Sequence, residues 1–520
     1  MTGRGFDIMK LPIGIQSFEV IRTGNYYYVD KTKFVWKLVN DGKYYFLSRP
    51  RRFGKSLFID TLKQAFLGRK ELFRGLYLED HWDWEKKYPV IHIDFGGRYI
   101  ENVDHLKISI IENLQKNEFE LKLKCKKKDL YDSYLEEIII EGFRKYHSEV
   151  VVLIDEYDKP ILDRLEDKEE AIKIREVLKN FYSVLKPLDR YLKFVILTGV
   201  SKFSKVSLFS GLNQLRDITL SEEYATICGY TQEELEEVFK EELRGEDREE
   251  IRRWYNGYSW LGEAVYNPFD VLLYLKERKF YPYWFESGTP NFLVKLLIEK
   301  RFYIPKLNEL WVSEGLIGSF DVDMIEPENL LFQTGYLTIR GLERMPTGYL
   351  YYLSYPNKEV EISLNHYILM YYTQEGHEAS RLVVELIRGL SVGDIGCLKD
   401  ILQSLFRGIP YEWYRRNEIS SYEGYYASVV YSFLVGGGFE IIAEDYTSCG
   451  RIDLTLLYGD RCYIMEFKVM EIEGGGKAIE QIRGKGYGEK YRGRYREVYL
   501  IGIEFSREKK EIVGFDWERF

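Results

Sequence analysis

Residues Lys43 to Ser48 (KYYFLS) read as a short buried strand, and Leu57 to Phe66 as a helix with its inner face at Leu57, Phe58, Thr61, Leu62 and Ala65. Between them lies RPRRFGKS. A strand, a loop ending Gly-Lys-Ser and a helix leave few folds open, because the loop's N–H groups and the helix start together form an anion site. In that arrangement Lys55 reaches the β and γ phosphates of a nucleotide and Ser56 ligates Mg²⁺. The full pattern has a glycine five residues before Gly54, and Arg49 stands there instead. Taken alone, Gly54-Lys55-Ser56 also fits a flexible surface turn.

A second run narrows the choice. Glu149 to Glu156 (EVVVLIDE) is a continuous apolar, β-branched stretch ending in two acids, the pattern of a parallel strand buried on both faces. Asp155 at its carboxyl end can hold the magnesium through water, and Glu156 can polarise an attacking water. The alternative is an acidic cap where strand meets loop. Pro89 to Phe95 (PVIHIDF) and Lys193 to Val200 (KFVILTGV) also have the length and composition of strands. Four such strands with helices between them predict an α/β fold with a mostly parallel sheet. Thr198 and Ser201 then lie where a γ-phosphate sensor sits, or form a purely structural turn. Arg216 fits either an arginine finger or a surface ion pair.

A chain of 520 residues exceeds one core and predicts two to four domains of roughly 100 to 200 residues each. From about Gly229 the pattern changes to charged amphipathic helices, beginning with a capping box at Thr231 and Glu234 before Leu235, Val238 and Phe239. Aromatic-rich turns follow: WYNGYSW at 254–260, VYNPFD at 265–270 and FQTGYLTI at 332–339. Their rings either stack on bases or pack the core of this region.

Near the C-terminus, Arg451 to Val469 (RIDLTLLYGDRCYIMEFKV) reads as two strands around a Gly459-Asp460 hairpin turn. With that turn, paired residues sum to 919, so Asp453 lies opposite Glu466 and Lys468 projects on the same face. Like charges in opposite positions repel unless a divalent cation sits between them, and carboxylate oxygens are the ligands Mg²⁺ prefers. Glu423, on an apolar helix just upstream, can add a further carboxylate. Lys468 can orient or help deprotonate water for phosphodiester cleavage. The alternative is a solvated face with Asp453 paired to Arg451 and Glu466 to Lys468. Arg483 to Arg496 carries six basic residues against one acid with tyrosines interleaved, a phosphate-tracking pattern.

The net charge of −9 excludes a generic polyanion-binding surface but not a local patch. The longest apolar run, Ser428 to Ala443, is broken by Ser432, three glycines and Glu440 and is too short for a membrane span. Five scattered cysteines and no secretory-type start predict a cytoplasmic chain with reduced thiols. Six histidines without a metal-ligand spacing argue against structural zinc.

Residues 11–32 (LPIGIQSFEVIRTGNYYYVDKT), RPRRFGKS, LIDEYDKP at 153–160 and TGVSKFSKVSLFSGLNQL at 198–215 together resemble the prokaryotic AAA-ATPase-like proteins with a C-terminal PD-(D/E)XK nuclease domain. WYNGYSW, YNPFD, QTGYLTI and YPN at 355–357 resemble that family's middle signatures, and GRIDLTLL with MEFKV its nuclease core. The family's loop also lacks the first glycine. The resemblance implies nucleotide contacts at Lys55 and Ser56, a Walker B pair at Asp155 and Glu156, and nuclease positions at Glu423, Asp453, Glu466 and Lys468. Gln481 and Tyr487 match the following helix, which Gly484, Gly486 and Gly488 weaken.

The expected nucleotide set is Arg52, Phe53, Gly54, Lys55, Ser56, Asp155 and Thr198. The catalytic set is Glu156, Asp453, Glu466 and Lys468, with Mg²⁺ ligands at Ser56, Asp155, Glu423, Asp453 and Glu466. The expected organisation is an AAA-like P-loop ATPase domain over 1–225, a mainly helical middle over 226–410 and a restriction-endonuclease-like domain over 411–520. The leading expectation is an ATP cycle controlling a Mg²⁺-dependent nuclease that acts on DNA, in defence or mobile-element biology, with self-assembly open. The competing expectation is an ATP-dependent switch or scaffold whose nuclease-like domain only binds nucleic acid or protein.

Overall fold

The computed structural model describes residues 9–203, 208–209, 211–285, 291–318, 322–373, 376–409, 423–470 and 477–520. Residues 204–207 and 210 of the 198–215 segment lie outside them. Backbone contacts divide the chain into two units, Met1–Ser287 with Trp311–Tyr352, and Gly288–Leu310 with Leu353–Phe520.

In the first unit the four expected strands are β1 (Tyr44–Ser48), β2 (Val90–Asp94), β3 (Val150–Asp155) and β4 (Leu192–Gly199). They form a parallel sheet ordered β2-β3-β4-β1-β5. The added edge strand β5 (Arg216–Asp217) is two residues long and carries no apolar run that would announce it. Strands β1 and β3 are buried along their whole length. Helices Lys55–Phe66, Val103–Glu120 and Tyr131–Tyr146 pack on the sheet, and each β-branched or leucine side chain they cover contributes about 1.5 to 3 kcal/mol. The carboxyl ends of β1, β3 and β4 deliver Ser48, Asp155 and Gly199 to one edge of the sheet, where α/β folds place their ligands.

Helices Gln232–Val238, Arg248–Tyr255 and Pro268–Glu277 follow, the first opened by the expected Thr231–Glu234 capping box. Leu235, Phe239, Ile251, Tyr255, Tyr266, Val271 and Leu272 form their core. A small sheet ordered β6-β8-β7 comes from β6 (Leu310–Ser313), β7 (Thr338–Met345) and β8 (Gly348–Ser354).

The expected middle block 226–410 does not stand as one unit. Its later helices, Lys358–Thr373, Gly376–Val392 and Ile395–Arg407, group with the C-terminal sheet. An amphipathic stripe looks the same in sequence whichever core it faces.

The second unit's sheet is ordered β13-β12-β11-β10-β9, from β9 (Glu440–Thr447), β10 (Gly450–Tyr458), β11 (Arg461–Met470), β12 (Glu497–Ser506) and β13 (Ile512–Arg519). The β11–β12 pair is parallel and the others antiparallel. Gly459, at φ +60°, turns the β10–β11 hairpin, and the ladder runs from Tyr458↔Arg461 to Leu454↔Met465. Every pair sums to 919, as read from the turn. Helix Glu423–Gly436 packs against β9, β10 and β11 and along Lys358–Thr373.

Candidate functional site

The loop after β1 turns through two left-handed residues, Arg52 at φ +67° and Gly54 at φ +90°. Helix Lys55–Phe66 starts at Gly54 with no side chain capping it, so its first N–H groups stay open to an anion. Lys55 is buried, and its Nζ donates to the carbonyls of Arg49 and Pro50 at 2.9 and 2.8 Å. Burial lowers the Lys55 pKa, against the attraction of Asp155. Arg49, in the missing glycine's place, is fully buried. Its Nη1 donates to Ser48 O and Thr219 O at 2.8 and 2.9 Å, and its Nη2 to Tyr224 O at 3.0 Å. Burial brings its pKa down to about 10.

Asp155 is buried at the end of β3, and its Oδ1 accepts from Thr198 Oγ1 at 2.6 Å and Glu156 N at 3.0 Å. Thr198 is fully buried, so its hydroxyl aims Asp155 rather than standing open as a sensor. Ser201 is likewise spent: its hydroxyl and N–H both go to Asp158 Oδ2, and Val200 N–H joins them. Glu156 holds a left-handed backbone at φ +51°, the kind of strain that clusters at functional sites. Desolvation raises its pKa, against Lys55. A Cβ at Gly96 would meet Glu156 Oε2 at 2.9 Å, so that glycine makes room for the acid. Arg216 lies on the surface, 3.8 Å from Glu223.

A cavity of about 650 Å³ adjoins the loop, lined by Arg52, Phe53, Gly54, Lys55, Ser56 and Glu156 on one side. Its other walls are residues without an assigned role in the sequence reading: Ile15, Tyr28 and Val29 from the N-terminal segment, and Tyr230, Phe269 and Leu272 from the helical region. Lys31, also in the lining, is locked by Glu234 at 2.6 Å and Thr226 O at 2.8 Å. Asp158 was missed as well. The signals available were the close spacing of Asp155, Glu156 and Asp158, and the tyrosine run at 26–28.

In the second unit Asp453 stands one step beyond the last recorded hairpin pair, and its Oδ2 accepts the Phe467 N–H at 2.9 Å. Glu466 is 2% exposed. Gln481 donates to its Oε1, while its Oε2 has no hydrogen-bond partner among the described residues. Burial, then Asp453, pushes the Glu466 pKa up to about 8, and burial also raises that of Asp453. Lys468 Nζ is 3.7 Å from Glu423 Oε1. The exposed Glu423 therefore answers Lys468, and among the described residues no three His, Cys, Asp or Glu side chains gather as a metal nest. Tyr487 is buried, with its OH donating to Arg451 O at 2.9 Å. The weakened helix ends at Lys485, and Gly486 at φ +61° turns the chain to seat that tyrosine.

The basic stretch is largely neutralised within its own unit. Arg483 pairs with Glu518, Lys490 with Asp445, Arg492 with Glu489 and, at 3.8 Å, Arg496 with Asp460. No helix among the described residues is long and apolar enough to cross a membrane.

Residues 12–209 match the family model described as predicted AAA-ATPase, and residues 421–515 match that of the PD-(D/E)XK nuclease superfamily. The chain is 49% identical over 507 residues to a protein of Azotobacter chroococcum mcd 1 described as the uncharacterized protein in the vnfD 5′ region, covering 97% of this chain and 98% of that one. The crystal structure of Cdc6p from Pyrobaculum aerophilum matches with a TM-score of 0.25 at 11% identity, over 70% of this chain and 96% of that one, a likeness too slight to argue from. Because both domain matches fall in the expected order on a chain with a full-length relative, the protein belongs to the AAA-ATPase-like family that carries a C-terminal PD-(D/E)XK nuclease-superfamily domain.

Proposed function

We propose that the chain binds and hydrolyses ATP and that this cycle controls a Mg²⁺-dependent nuclease acting on DNA, in defence or mobile-element biology in the cytoplasm. Glu466 carries the reading. A buried carboxylate with one oxygen unpartnered, set against Asp453, is costly for folding alone. A divalent cation removes that cost, so the residues fit one, with Asp453 and Glu466 as its holders. When bound, Mg²⁺ supplies Lewis-acid polarisation of a phosphodiester and acidifies water. Lys468 offsets the developing negative charge and orients the water, and Gln481 holds Glu466 in place.

At the first site the open helix start and the buried Lys55 amine fit a triphosphate. Lys55 exchanges two loop carbonyls for phosphate oxygens. Ser56 and Asp155 would hold the accompanying Mg²⁺, with Thr198 fixing the carboxylate. Glu156 accepts the water's proton. Arg52 and Phe53 complete the loop's wall.

The test measures ATP turnover and DNA cleavage in Lys55→Ala, Asp453→Ala and Lys468→Ala. Undiminished cleavage in the last two variants removes the nuclease assignment. The lack of a three-ligand nest among the described residues favours a second reading, in which the C-terminal domain only binds nucleic acid or protein. Nucleotide binding without cleavage of DNA or RNA in Mg²⁺ or Mn²⁺ would select it. Sizing the protein with and without ATP tests for an assembly of identical chains.

A further inference from the structure

The aromatic-rich turns at 254–260, 265–270 and 332–339 lie far in sequence from the arginine in the missing glycine's position. The structure brings them together. Arg49 sits over the Trp260 ring, with the guanidinium carbon 4.1 Å from the ring centre. Pro50 packs against Gly335, at φ +91°, where a Cβ would come within 2.8 Å of the proline ring. The carbonyl of Arg51 accepts the Trp284 indole N–H at 3.3 Å. Arg52 sits over Phe269 at 3.7 Å. Phe53 is buried edge-on against Tyr258 and Trp260, with centroids 4.7 and 5.5 Å apart. Gln333 adds a bond at the end of β4, accepting the Lys202 N–H at 2.8 Å.

All five residues from Arg49 to Phe53 are thus gripped from outside by residues between Tyr258 and Gly335. Tyr258 and Trp260 belong to the 254–260 turn, Phe269 to the 265–270 turn and Gly335 to the 332–339 turn; Trp284 lies between the last two. A phosphate loop needs its carbonyls turned away and its N–H groups turned inward. Glycine permits that shape without imposing it, and this loop has glycine only at Gly54.

We propose that the three aromatic-rich turns are positioning elements of the nucleotide site, holding a glycine-poor phosphate loop in its binding shape, with the Arg49–Trp260 stack replacing the absent first glycine. The stack fixes the loop's first residue from behind. Arg49's bonds to Thr219 O and Tyr224 O pull the same way. The loop's shape is set by side chains outside it. This inference rests on the nucleotide reading of Lys55 and Ser56.

The experiment titrates the full-length protein with mant-ATP and follows thermal unfolding in parallel. Trp260→Leu removes the stack and weakens mant-ATP binding about tenfold, the factor that 1.4 kcal/mol of lost organisation produces. Trp260→Phe keeps a ring and holds affinity within about twofold of wild type. Gly335→Ala presses on Pro50 without removing any aromatic and weakens binding too. Arg49→Lys keeps the charge and loses the guanidinium over the ring, so its effect and that of Trp260→Leu combine less than additively. If Trp260→Leu does not fold, Gly335→Ala and Arg49→Lys decide the matter. Wild-type affinity in those variants, with Lys55→Ala still weakening binding, overturns the proposal. Failure of the wild type to bind mant-ATP overturns the nucleotide reading itself.

Discussion

The two sites treat their buried charges in opposite ways. At the phosphate loop, Lys55 has two carbonyl acceptors and Asp155 two donors, all from the protein itself. On the β10–β11 hairpin, Glu466 has a donor for one oxygen and, among the described residues, none for the other, and its neighbour is a second carboxylate. A site that satisfies its own groups keeps its shape whether empty or filled. A site that leaves them unsatisfied is unstable until a ligand arrives, and its ligand shows up as stability.

The largest break of this comparison is Lys55→Ala. On the proposed nucleotide reading, removing this donor should lower ATP turnover about a hundredfold or more, read by phosphate release, while leaving metal effects at the hairpin unchanged. Next comes the cation. Mg²⁺ at a hundred times its dissociation constant should stabilise the C-terminal unit by about 2.7 kcal/mol, and chelation should remove that gain. Glu466→Gln should unfold at or above the wild-type midpoint in metal-free buffer and gain nothing from Mg²⁺. Loss of stability in that variant without metal would break the contrast.

Glu118 offers a control, a buried carboxylate with every need met. Desolvation pushes its pKa up, but Lys128, Tyr134 and the Cys125 N–H outweigh this and leave it lowered. A folded pKa below the unfolded one means the stability is present above about pH 4.3 and is lost as pH falls through the folded value. Glu118→Gln should therefore cost about 2 kcal/mol near neutral pH, and its penalty should shrink on acidification, as read by urea unfolding across pH. The smallest effect is at the surface. Lys485 and Arg494 are exposed and have no acidic partner within 4 Å among the described residues. On the proposed reading that this domain binds DNA, each change to alanine should flatten the salt dependence of that binding by about 0.9 in slope, measured by anisotropy.

Much of this was legible in sequence where local pattern and geometry coincide. Four apolar runs became four sheet strands, and a two-residue turn set the hairpin register that brings Asp453 toward Glu466. The rest depended on contacts between distant segments. Nothing local marks Arg216–Asp217 as a strand, since its pairing comes from β1. Thr198 read equally as a γ-phosphate sensor or a structural turn, because only the fold brings Asp155 to its hydroxyl. The helices from Lys358 to Arg407 carry stripes that do not name their partner.

The hairpin turn at Gly459-Asp460 has a consequence for inheritance. Strand residues alternate faces, so one extra codon at this turn would shift the pairing by one position and send Asp453 to the opposite side from Glu466. The same slip would turn Leu454 and Leu456, both fully buried on that strand, to the other face as well. The length of this turn is therefore held by the core as much as by the carboxylate pair, and an inserted codon here would be selected against on folding before any chemistry was tested.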